Sequence, residues 1–172
     1  MQGTKLSTFL KYLSYIIEII IIFVLFSTPN LIPEVFGGKP SLLITIAISI
    51  AVFEREIPAM IFGLLCGLLI DIGYSSTIGT FSIGLTIICF VLGYVANNLI
   101  VANIFNVLLV SFVAILILFL LHFLFSYIML GYDDPLSYFV NHYISRIVGT
   151  FIFTPIFYFL NRFIHRTLGK TD

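Results

Sequence analysis

The chain has 172 residues, of which 60% are hydrophobic and 9% charged, against roughly 45–50% and 25% in soluble domains. So few polar groups cannot clothe a soluble surface, which excludes a disordered chain, a nucleic-acid-binding domain and a secreted disulfide scaffold. The eight basic and eight acidic residues cancel, so their placement carries the information and their sum does not.

Charged and turn residues divide the chain into six apolar blocks, at about 9–28, 41–53, 57–72, 80–96, 104–130 and 139–160. A spanning helix needs about 20 apolar residues. The first, fifth and sixth blocks satisfy this, while the second, third and fourth are marginal. The first block carries Lys5 and Lys11 ahead of an apolar run interrupted by Glu18. No small-residue cleavage site follows, so it is expected to be a retained span. The second block enters through Gly37-Gly38-Lys39-Pro40 and ends at Glu54-Arg55-Glu56, read as a solvated loop. The third carries Pro58 in its first turn, where a missing N–H costs little, and ends near Asp71. The segment Gly73 to Gly79 leads into the fourth block. The fifth ends at Gly131-Tyr132-Asp133-Asp134-Pro135, and the sixth runs into a basic tail. Backbone groups in lipid must be paired internally, and barrel-like alternation is absent, so the blocks are expected to be helices. The predicted fold is an all-α integral membrane protein, 1–172 being one domain of about six transmembrane helices. Four spans, with the second and third blocks re-entrant, is the competing count.

Orientation follows from Lys and Arg. With the N-terminus inside, Lys5, Lys11, Arg55, Arg162, Arg166 and Lys170 are cytoplasmic and Lys39 is outside. Both termini are therefore expected in the cytoplasm. Tyr12, Tyr15, Tyr132, Tyr138, Tyr143 and Tyr158 lie near predicted helix ends, where amphipathic rings suit the headgroup region.

Ionisable groups within spans are costly and so point to function. Glu18 falls seven residues after Lys11 and Arg146 seven residues into the sixth block, each at a depth of about 10 Å. Asp71 lies in the last turn of the third. Glu18 is expected to face the interior, and Asp71 and Arg146 to pair between the third and sixth helices. His122 and His142 are weaker cases. Gly63 and Gly67 share one helix face and allow close helix packing; Gly84 and Gly93 can act similarly. Pro155 is expected to bend the sixth helix. Cys66 and Cys89 form no CxxC and are read as buried apolar residues. No metal, phosphate-loop or nucleophile-elbow motif is present. The chain is therefore expected to be no enzyme, with no catalytic residue, metal or cofactor.

The stretch Gly63-Leu64-Leu65-Cys66-Gly67-Leu68-Leu69-Ile70-Asp71, with Ile78-Gly79 beyond it, resembles the rod shape-determining MreD family. That family carries a G-x-x-x-G-L-x-x-D helix followed by a short polar turn. Pro40 and Leu42 at the second helix and Pro155-Ile156-Phe157-Tyr158 near the end of the last agree with it. Ser41 stands where members often have an acidic residue. The resemblance implies a multi-pass protein of the bacterial cytoplasmic (inner) membrane. It would be a non-enzymatic scaffold of the peptidoglycan elongation machinery, beside MreC, MreB, RodA and a class B penicillin-binding protein. Gly63, Gly67, Asp71 and Gly79 would hold the third helix against a neighbour or partner, and self-association through the Gly63/Gly67 face stays open. The fold it implies is shared with the substrate-binding subunits of energy-coupling-factor vitamin transporters, which is the alternative function. Such subunits dock through an Ala-x-x-x-Ala face on the first helix, whereas residues 12–26 here contain no alanine or glycine.

Overall fold

A computed structural model describes residues 2–28, 39–74, 79–98, 104–128 and 139–168. They form six helices and no strands: α1 (Gln2–Ser27), α2 (Leu42–Phe53), α3 (Glu56–Tyr74), α4 (Thr80–Asn98), α5 (Ile104–Phe123) and α6 (Ile144–Leu168). Wider π-helical turns, Leu124–Ile128 and Phe139–Tyr143, extend α5 and precede α6. Most of the connecting segments on which turns were predicted, including Pro29, Ile78, Tyr132, Asp133 and Tyr138, lie outside the described residues.

Five of the six helices are long and apolar enough to cross a membrane; α2 is the shorter exception. Six helices form where six were expected, and five of them have the length of a span. Twelve residues rise about 18 Å, well short of a hydrocarbon core of about 30 Å. All of Leu42–Val52 is buried. A helix that is apolar all round belongs inside protein, and α2 packs against every other helix, with α6, α3 and α4 its broadest neighbours. Apolar surface gains nothing by leaving lipid for protein, so packing and hydrogen bonds hold such a helix. Ser49 Oγ donates to the Phe157 carbonyl at 2.8 Å and accepts from Asn161 Nδ2 at 3.0 Å. The Ser41 N–H donates to Thr150 Oγ1 at 3.0 Å. The short second helix is thus tied along its length to the last one.

Other boundaries shift with consequences. The first helix begins at Gln2, not near residue 9, and so includes Lys5 as well as Lys11. The last continues through Pro155 to Leu168, so Asn161 is an interior helical residue. The helices run alternately up and down. Lys11 of α1, Glu54 at the end of α2 and His165 of α6 therefore meet at one end. Phe26, Lys39, Phe81, His122 and Arg146 gather near the other. Tyr15, Tyr143 and Tyr158 are buried rather than forming an interfacial belt. For Tyr15 and Tyr143 the hydroxyl has an internal partner. Cys66 and Cys89 are buried free thiols, as expected.

Candidate functional site

The glycine face of α3 is consumed inside the chain. A Cβ on Gly67 would stand 2.5 Å from Ser82 Cα and 2.7 Å from the Phe81 carbonyl oxygen, both on α4. A Cβ on Gly63 would stand 2.8 Å from Cys89 Cβ and the Leu85 carbonyl oxygen. Backbone therefore lies against backbone along the α3–α4 seam. Gly93 repeats the arrangement from α4, beside Glu56 and Ala59, and Gly84 faces Leu118 of α5.

Asp71 closes this seam. Its Oδ2 accepts the N–H of Gly79 at 3.0 Å, the N–H of Ser82 at 2.9 Å and the Ser82 hydroxyl at 2.5 Å. Its Oδ1 accepts the Phe81 N–H at 3.2 Å. The first N–H groups of a helix have no partner within it, and the partial positive charge there attracts an anion. Asp71 supplies that anion from a neighbouring helix while being 3% exposed itself. Gly79 sits just before α4 with φ +100, the left-handed region that glycine enters without strain. This arrangement corrects the expected Asp71–Arg146 pair. Among the described residues the ion pairs are Lys11–Glu54 and, when the histidine is charged, His165–Glu54. Asp71 is already satisfied by α4, and Arg146 is exposed.

At the opposite end, Glu54 corrects the solvated-loop reading. It is 4% exposed, with Lys11 Nζ 2.8 Å from Oε1 and 3.2 Å from Oε2. The Tyr15 hydroxyl donates to Oε1 at 3.1 Å. His165 Nδ1 approaches to 3.9 Å, beyond hydrogen-bond reach, so it acts there by charge when protonated. Burial pushes the Glu54 carboxyl up, but His165, Lys11 and the Tyr15 hydroxyl together outweigh it and hold it below its ordinary value. Asn97 Nδ2, from the end of α4, donates to the Glu54 backbone carbonyl at 2.9 Å.

Glu18 faces the interior as expected. It accepts from Asn161 Nδ2 at 3.4 Å, and its other oxygen, like Asn161 Oδ1, accepts no hydrogen bond from the described residues. The sequence reading missed Lys11, Tyr15, Glu54, Ser49 and Asn161 as an internal set. A signal existed: Lys11, Tyr15 and Glu18 lie at i, i+4 and i+7, on one face of α1.

A cavity of about 160 Å³ lies at the end where α2 begins, lined by Lys39, Ser41, His122 and Arg146 with Phe81 and Phe119. The imidazole of His122 is engaged on both sides, with Tyr143 at 2.9 Å and Ser126 at 3.2 Å, and its ring stacks on Phe81 at 4.4 Å. No group of three or more His, Cys, Asp or Glu among the described residues could hold a metal ion.

These features define an α-helical protein of the membrane-spanning class, with one short helix enclosed by longer ones. No family model, curated protein or solved structure matches the chain.

Proposed function

We propose that the chain is a non-enzymatic membrane scaffold of bacterial cell-wall elongation, of the MreD type, lying in the cytoplasmic membrane with both termini inside. One observation supports this reading above others. Gly63, Gly67, Asp71 and Gly79, the residues on which the resemblance turns, all serve one α3–α4 joint. Such a joint gives a rigid shape, which is what a protein working by contact requires. The partner that reads this shape is then a bitopic MreC-type protein, together with the MreB, RodA and penicillin-binding components of the machinery. Since the glycine face is occupied by α4, such a partner would take a different face of the bundle.

The test is co-purification from a native membrane under mild detergent. Recovery of an MreC-type protein with the tagged chain, lost on Gly67→Leu while the variant stays in the membrane, is the expected result. Recovery of an ATPase module or a bound vitamin, with no MreC-type protein, would overturn the scaffold. That outcome belongs to the second reading, a substrate-binding subunit of an energy-coupling-factor transporter. The observation favouring it is the cavity beside Lys39, Ser41, His122 and Arg146.

A further inference from the structure

The length of α2 has a geometric consequence. Helices α2 and α3 meet at Glu54–Glu56, yet α2 has 12 residues and α3 has 19. Running antiparallel, they leave α2 about 10 Å short at the far end. The cavity lies in that step. Its walls come from α1, α3, α4, α5 and α6, and Lys39 and Ser41, which lead into α2, border it.

The charged side chains that line the cavity are of one sign. Lys39 and Arg146 both line the cavity, and neither takes part in an ion pair among the described residues. Asp71 is spent on the N–H groups of α4. The histidine is engaged by Tyr143 and Ser126. The acids nearest in sequence, Glu34, Asp133 and Asp134, fall outside the described residues. The rest of the lining is largely apolar and aromatic, through Phe81 and Phe119. Both cations are exposed at the cavity, so an anion can reach them without displacing an existing ion-pair partner among the described residues. A planar guanidinium accepts two oxygens of one phosphate side by side, while an ammonium adds a compact charge and the hydroxyl of Ser41 one more donor. We infer that this cavity binds a phosphate group, with Arg146 and Lys39 as its cationic ligands. The group belongs to a membrane lipid headgroup or to a small soluble phosphate. The inference is independent of the scaffold reading, because its cationic ligands, Lys39 and Arg146, lie outside the α3–α4 joint.

The full chain is purified in a neutral detergent and given two probes in separate arms. Short-chain phosphatidylglycerol is titrated in one, with binding read by native mass spectrometry. Radiolabelled inorganic phosphate is used in the other, read by equilibrium dialysis. The expected result is saturable binding of one equivalent in at least one arm, weakened at least tenfold in Lys39→Gln/Arg146→Gln. Phosphatidylglycerol binding without inorganic phosphate binding assigns the site to a headgroup. Inorganic phosphate that binds and displaces the lipid assigns it to a soluble phosphate. Circular dichroism checks that the double variant keeps its helices. Should it unfold, Arg146→Lys takes its place, with binding reduced several-fold by loss of the two-pronged contact. Absence of saturable binding in both arms, or equal binding by wild type and the folded variants, overturns the site.

Discussion

The two ends of the bundle treat charge in opposite ways. At the end where α1 begins, a lysine and a tyrosine of α1 and a glutamate at the end of α2 are drawn inside and satisfy one another. At the other, Asp71 accepts hydrogen bonds from the backbone of α4, and two cations line an open cavity. Charge that is enclosed and paired fixes helix positions, and charge left at a cavity is available to something else. The first end therefore reads as construction and the second as a place for binding.

Substitutions can break this contrast, and they separate by size. The largest effect is expected from Glu54→Gln, which leaves Lys11, only 6% exposed, without its counter-charge. Removing one partner of a buried pair costs about 3–5 kcal/mol, read as a lower thermal midpoint in detergent. Converting both sites, as Lys11→Met with Glu54→Leu, should recover most of that loss. If the double variant is no better than the single one, the pair is not the source of the stability.

Asp71→Asn keeps the shape but removes the charge, and one of its atoms becomes a donor facing N–H groups. Loss of charged hydrogen bonds of this kind costs about 2–3 kcal/mol. Protease sensitivity near the start of α4 should rise in step with it. Gly67→Ala follows, at about 1–3 kcal/mol, because its methyl would meet the Ser82 backbone at 2.5 Å and force the seam apart. A cysteine cross-linking pair across α3 and α4 would report the widened gap, and an unchanged cross-linking rate would argue against the close contact.

Acid should act on the first end. The unfolded chain protonates Glu54 near its ordinary value of 4.5, and the folded chain only below it. The stability this group contributes is complete above that range and is lost as pH falls through the folded value. Melting midpoints taken between about pH 6 and pH 3 should fall more steeply for wild type than for Glu54→Gln. Equal slopes would place the acid sensitivity elsewhere. The smallest effect is expected from Arg146→Gln, within about 0.5 kcal/mol of wild type, as for most exposed substitutions that touch no packed feature. A large loss there would mean that the cavity end is structural as well.

Much of the architecture was legible because lipid imposes simple rules. Apolar blocks between charged punctuation became helices, and glycines at i and i+4 found a close neighbour in α4. Glu18 lay inside as its depth demanded. What stayed hidden depended on tertiary contact. A run of 12 apolar residues looks the same whether it crosses a thin bilayer or sits wrapped in protein, so the enclosure of α2 was not legible. Lys11 and Glu54 looked like border charges because each lies beside polar neighbours in sequence; only the fold brings them together. Asp71 was singled out correctly by its motif, yet its partner was misjudged, because a side chain is an obvious counter-charge and a helix end is not.

The enclosure of α2 also bears on how the chain is made. A 12-residue helix is too short to be released alone into a bilayer as a stable span. Its firmest ties are to Thr150, Phe157 and Asn161, in α6, which is synthesised well after it. The serine and backbone groups of α2 must therefore wait for α6 before they find their partners. Assembly then includes a late closing step, in which α6 seals α2 inside the bundle.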